Sequence, residues 1–190
     1  MPGIVGIITK APRVTAEQQM EQMLQAICHE KFYARGTWID ESLGVYIGWS
    51  AIKGSFSDGM PLYSEKRDTY LIFSGEEYSE GRGSSQPRER ASGIAEAHYL
   101  VRDYEQNDNF IQGLNGLFHG LIADRRHGEV TLFNDRYGMH RLCYNQAKDS
   151  FYFAAEAKAI LAVRPELREP DYRSLGEFLS SPVSSTRPSP

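Results

Sequence analysis

Gly3-Ile4-Val5-Gly6-Ile7-Ile8 opens the chain as a short apolar run rich in β-branched residues. A run of this length without polar alternation reads as a strand buried on both faces. That strand begins almost at the first residue.

Outward from it, Thr15 and Gln18 form a capping-box pattern, and Met20, Met23, Leu24 and Ile27 follow at offsets of three and four. The spacing predicts an amphipathic helix over residues 15–30. Residues 43–52 and 69–73 are rich in aromatic and β-branched side chains and read as strands flanking a turn-rich stretch at 54–61. The Gly, Ser, Pro and Arg-rich segment 81–90 reads as a surface loop, and Ile94, Ala97, Val101 and Tyr104 mark a second helix. Strands are then expected at 116–123, 130–134, 141–145 and 151–154, with polar turns at Arg126-His127-Gly128 and Ala147-Lys148-Asp149. Residues 155–163 read as a helix that stops before Pro165, and Asp171 reads as the cap of a last helix ending near Leu179. Strands in two groups with helices between them, joined by antiparallel turns, give an α+β fold with helices layered on sheets. One domain over residues 1–179 and a disordered tail over 180–190 are expected.

The chain has 190 residues and a formal charge of −4 with no dense Lys/Arg run, so neither nucleic acid nor an anionic membrane is an expected partner. Cys28 and Cys143 have no Cys or His neighbour at metal spacing and read as two reduced core thiols. No apolar run reaches the roughly 18 residues that span a bilayer, and no signal peptide pattern is present, which places the chain in the cytoplasm.

Six segments, in order, resemble class II glutamine amidotransferases of the asparagine synthase type. Met1-Pro2-Gly3-Ile4-Val5-Gly6 is similar to the family's Met-Cys-Gly-Ile-Val-Gly, and Met60-Pro61-Leu62 to its Gln-Pro-Met. Phe73-Ser74-Gly75-Glu76-Glu77-Tyr78 is similar to Phe-Asn-Gly-Glu-Ile-Tyr, and Leu114-Asn115-Gly116-Leu117-Phe118 to Leu-Arg-Gly-Met-Phe, with Asp124-Arg125-Arg126 following. The most specific segment, from Asn134-Asp135-Arg136-Tyr137-Gly138 to Tyr144, resembles Arg-Asp-Arg-Phe-Gly-Ile-Lys-Pro-Leu-Tyr-Tyr, and Phe153-Ala154-Ala155-Glu156 opens a match to Phe-Ala-Ser-Glu-Ile-Lys-Ala-Leu-Leu. The resemblance implies the N-terminal-nucleophile hydrolase four-layer sandwich, two mainly antiparallel sheets between helical layers. Family members usually continue into an ATP-dependent synthetase domain, so a synthetase domain in cis or trans and a second copy as a homodimer are the implied partners. ATP and Mg²⁺ are expected only there, and no cofactor is expected in this chain.

In the family the N-terminal Cys attacks the glutamine carbonyl while its own α-amino group moves the proton. The resemblance puts Pro2 at that position, and a carbon ring cannot form the acyl intermediate. Thr9 and Cys28 are not N-terminal and cannot replace it. The oxyanion-hole positions, filled in the family by an Asn amide and a Gly N–H, fall on Ser74 and Gly75. Glu76 is the candidate for gripping a ligand amine, with a local role in the backbone turn as the simpler reading. The family's Arg for the glutamine carboxylate corresponds to Ala51-Ile52-Lys53-Gly54, where Lys53 lacks the bidentate fork. Its Asp for the amino group corresponds to Ala91-Ser92-Gly93-Ile94, with no carboxylate.

Asp135, Arg136 and Glu156 resemble charged residues that in the family belong to the domain's structural end rather than its glutamine pocket, which implies buried or interfacial ion pairs. His29, His98, His119, His127 and His140 read as surface or packed residues, and Tyr33, Trp38, Tyr46, Trp49, Phe56 and Tyr63 as core and hairpin packing in preference to a ligand cleft. The expected function is a glutaminase-inactive amidotransferase-type domain that scaffolds a synthetase, as in β-lactam synthetases and lasso-peptide cyclases, which it resembles in lacking the Cys. The rival readings are an amino-acid-sensing module without chemistry and an enzyme that uses a freed Pro2 amine as general base.

Overall fold

The computed structural model describes residues 2–78 and 98–180. The expected loop at 81–90, the residues Ile94 and Ala97, the segment 91–94 and nearly all of the expected tail lie outside the described residues.

The opening run forms β1 (Gly3–Thr9), and it is the middle strand of a five-stranded sheet ordered β2-β3-β1-β9-β8. Its neighbours are β3 (Val45–Ile52) on one side and β9 (Ser150–Ala154) on the other, both antiparallel. β2 (Tyr33–Asp40) and β8 (Cys143–Gln146) complete the sheet at its edges. The second sheet is ordered β4-β5-β6-β7, from Leu62–Tyr63, Thr69–Glu77, Gly116–Asp124 and Glu129–Asn134.

Alternation along β1 splits its side chains between two cores. Ile4 belongs to the cluster that includes Ile47, Trp49, Phe73, Leu121 and Phe153, where the two sheets meet. Val5 and Ile7 belong to a second cluster with Ala16, Met20, Met23, Leu24 and Ile27 of α1 (Arg13–Ile27) and with Ala159 and Ile160 of α4 (Ala157–Val163). On the far side of the second sheet, Leu100 and Val101 of α2 (Tyr99–Gln106) and Phe110 of α3 (Phe110–Gly113) pack into the first cluster. The layers therefore run helix, sheet, sheet, helix, as the sequence leads one to expect. The last helix, α5 (Tyr172–Ser180), is capped by Asp171, whose carboxylate accepts the Arg173 and Ser174 N–H groups at 3.1 and 3.2 Å. No described helix is long and apolar enough to cross a membrane.

Three expectations need correction. The first helix starts at Arg13, so Thr15 sits inside its first turn and caps nothing. Pro12 sets the entry instead, its fixed φ of −55° leading into the helix and its carbonyl accepting the Thr15 and Ala16 N–H groups at 3.0 and 3.1 Å. β2 is a strand that periodicity missed, because as an edge strand it exposes Arg35 and Thr37 between half-buried neighbours. Asp135 is buried, but among the described residues its carboxylate has backbone partners rather than an ion-pair partner: it accepts the N–H groups of Tyr137, Met139 and His140 at 3.1, 3.0 and 2.7 Å. Arg136 is exposed and donates to the Gln112 carbonyl, while Glu156 does form an ion pair, with Lys158 at 3.0 Å. The aromatic run is packing in the main: Tyr46 and Trp49 are buried, and Trp38 and Phe56 pack on the inter-sheet core. Cys28 and Cys143 are free and half-buried.

Gly6 shows how tightly β1 is seated. It pairs with Phe153, and a Cβ at Gly6 would stand 2.2 Å from the Phe153 ring. Since Phe153 is fully buried and its neighbours are packed, the ring has nowhere to move. Gly6→Ala is expected to destabilise the fold by about 2 kcal/mol through overpacking, read as a lower urea midpoint with unchanged slope. An unchanged midpoint would show that the strand is looser than this packing implies.

Candidate functional site

Antiparallel pairing brings the sequence-predicted positions to one end of the two sheets. Gly3 is opposite Ser50, so the Pro2 end of β1 lies beside the end of β3, where the exposed Lys53 follows Ile52. In the other sheet, Ser74, Gly75 and Glu76 lie near the end of β5, and Ser74 is opposite His119 near the start of β6. Pro2 is half-buried, Ser74 is buried and Glu76 is exposed, accepting the Tyr78 hydroxyl at 2.6 Å. Thr9 is at the other end of β1, its hydroxyl bonded to the Asp149 carbonyl and to Ser150. Some seven residues of strand place it roughly 20 Å from Pro2. Cys28 lies at the end of α1 on the helix-covered face, and burial pushes its thiol pKa up, which keeps it neutral. A cleft of about 460 Å³ exists at the Thr9 end, walled by Thr9, Glu41, Gly44, Lys148 and Asp149, and it contains none of the predicted site residues.

Two residues at the Pro2 end were not foreseen. His119 is 2 % exposed, and its Nε2 accepts the Ile4 N–H at 3.3 Å, a bond that crosses from one sheet to the other. With Nε2 as acceptor, the neutral ring carries its proton on Nδ1, which has no hydrogen-bond partner among the described residues. Ser57, in the 3₁₀ turn Phe56–Gly59 that follows β3, is also buried, and its Oγ accepts the Gly75 N–H at 3.1 Å. The backbone donor at Gly75, which the sequence resemblance aligns with an oxyanion-hole position, is therefore already bonded within the chain. Gly75 itself is confined to glycine: its φ is +126° and a Cβ would meet the Leu117 carbonyl oxygen at 2.1 Å.

A sequence signal for His119 existed. It follows Phe118 directly, a lone imidazole in the apolar run from Leu117 to Ala123, and a polar residue in a buried strand is the informative kind of exception. Ser57 left no comparable trace, because its role depends on a turn that folds back onto β5.

Burial pushes the His119 pKa down to about 4, with the nearby His140 adding repulsion, while the His140 main chain and Asp135 offset part of the effect. Asp135 is drawn the other way: burial would raise its pKa, but the His140, Met139 and Tyr137 N–H groups outweigh that and hold it below the usual carboxylate range. Its loop keeps His140 beside His119, ring centroids 5.8 Å apart.

The chain belongs to the glutamine amidotransferase domain family, which it matches over residues 1–189. It is 28% identical over 191 aligned residues to asparagine synthetase [glutamine-hydrolyzing] 1 of Bacillus subtilis, covering 95% of this chain and 29% of that protein. It is 26% identical to an amidase of Gibberella zeae, covering 90% of this chain and 27% of that protein. The chain thus spans less than a third of the length of these relatives. Its structure is similar to that of glutamine phosphoribosylpyrophosphate amidotransferase from B. subtilis, with a TM-score of 0.60 at 17% identity over 85% of this chain and 43% of the other. That likeness establishes the N-terminal-nucleophile hydrolase type of fold.

The low His119 pKa has a stability consequence with a definite sign. The unfolded chain takes up a proton near pH 6.5 and the folded chain only near 4, so the contribution is complete above about 6.5, falls as pH drops from there towards 4, and is flat below. The full span corresponds to about 3 kcal/mol. Urea unfolding of the native chain and of His119→Gln at several pH values is expected to show a difference between them that changes over this window. Parallel pH profiles would remove the buried, neutral imidazole from the account.

Proposed function

We propose that this amidotransferase-family domain does not hydrolyse glutamine and serves as the scaffold of an ATP-dependent, amide-forming synthetase that draws on free ammonia or an internal amine. The observation that carries the proposal is Pro2, standing where the family's motif has its Cys. Amide hydrolysis by that route needs a thiolate to attack the carbonyl carbon and an amine to take and return the proton. Proline has no atom that can play the first part.

Other features of the same end support the reading. The Gly75 N–H, bonded to Ser57, is not free to meet a developing oxyanion, and a hydroxyl at Ser74 is shorter than the amide it stands for. Losing one such donor typically costs about 3 kcal/mol of transition-state stabilisation. Lys53 offers a single exposed ammonium in place of a bidentate fork. On this reading ATP and Mg²⁺ belong to the synthetase partner, and the pair works in the cytoplasm. The relatives' names and length favour such a partner: two of them make or cleave amides by name and each is more than three times as long as the match.

Incubation of the purified chain with millimolar glutamine is expected to release no glutamate above a protein-free blank. Glutamate release that scales with protein concentration and persists through repeated purification would overturn the proposal.

A further inference from the structure

His119 spans the gap between the two sheets at the level of the candidate site. It rises from β6 opposite Ser74, and residues opposite each other in an antiparallel pair project to the same side with Cβ atoms about 5 Å apart. From there its Nε2 reaches the Ile4 N–H at 3.3 Å, and a Cβ added to Gly3 would lie 3.3 Å from the same nitrogen. The imidazole thus lies between the end of β5 and the residue that follows Pro2. His140 stands beside the ring, and the Asp135 carboxylate, bonded to three successive loop N–H donors, holds that loop in place. The ring is backed as well as bonded.

Acyl transfer from position 2 would need an amide carbon within about 3 Å of the nucleophile while its oxygen lay within about 3 Å of donors at Ser74 and Gly75. Both conditions place the carboxamide in the gap between the start of β1 and the end of β5.

We infer that His119 fills the space a glutamine carboxamide would occupy there, so that the site is closed by a strut between the sheets independently of Pro2. The inference rests on the reading of Pro2, Ser74 and Gly75 given above as the nucleophile and oxyanion-hole positions. It adds that supplying a nucleophile at position 2 does not by itself open the site.

The probe is iodoacetamide, which carries the same primary carboxamide as the glutamine side chain, applied to the full chain bearing P2C. Alkylation is followed by peptide mass mapping, with Cys28 and Cys143 as references in the same molecules. Adding H119A is expected to speed alkylation at position 2 at least tenfold relative to both references, and millimolar imidazole, refilling the vacated space, is expected to slow it again. Equal rates with and without His119 would overturn the inference. Should P2C/H119A unfold, seen as joint rapid alkylation of all three thiols, the P2C chain decides the matter. There the thiol at position 2 is expected to react at least tenfold more slowly folded than in urea, and equal rates would overturn the inference. These rates are independent of glutamine turnover by the native chain, so failure here and failure of the proposed inactivity are told apart.

Discussion

Strand β1 is held from four directions. In its own sheet β3 and β9 bond both of its edges, and of its side chains Ile4 enters the inter-sheet core while Val5 and Ile7 enter the helix-covered one. Because the strand begins at Gly3, this fixes the backbone immediately after Pro2 to within the tolerance of a packed core. The residue that precedes β1 is thereby held at one defined place at the end of the two sheets.

At that end two backbone donors are bonded to side chains of the chain itself. The Ile4 N–H goes to His119 and the Gly75 N–H to Ser57, so both donors at this end are satisfied by side chains. His119 Nδ1 lies beside the His140 main chain without a fully formed hydrogen bond among the described residues. A strained or under-satisfied group surrounded by well-packed structure is what persists when the surroundings determine the arrangement. The Asp135 loop is part of those surroundings, since its carboxylate fixes the segment that brings His140 against the ring.

Much of the framework could be read from residues alone, for physical reasons. β1, β3 and β6 are long, apolar and covered, and α1 repeats its buried residues at helical spacing, so pattern and structure agree there. β2 escaped because an edge strand alternates weakly, and the first helix was entered from Pro12 because a proline's fixed φ overrides a nearby capping pattern. The resemblance implies an ion pair for Asp135, whereas three backbone donors within five residues are closer at hand. At the site, Pro2, Ser74, Gly75 and Glu76 were legible as motif positions, but which atoms occupy the space between them was not. That depends on register: Ser74 opposite His119 is a fact of pairing between strands far apart in sequence.

Internal satisfaction of the backbone donors at this end is read most directly by amide hydrogen exchange. The Ile4 and Gly75 N–H groups are expected to exchange slowly in the ligand-free chain, to speed up respectively in His119→Ala and Ser57→Ala, and to be indifferent to saturating glutamine. Fast exchange at both groups in the native chain, or protection that appears only when glutamine is added, would contradict it and point to an open, ligand-binding site.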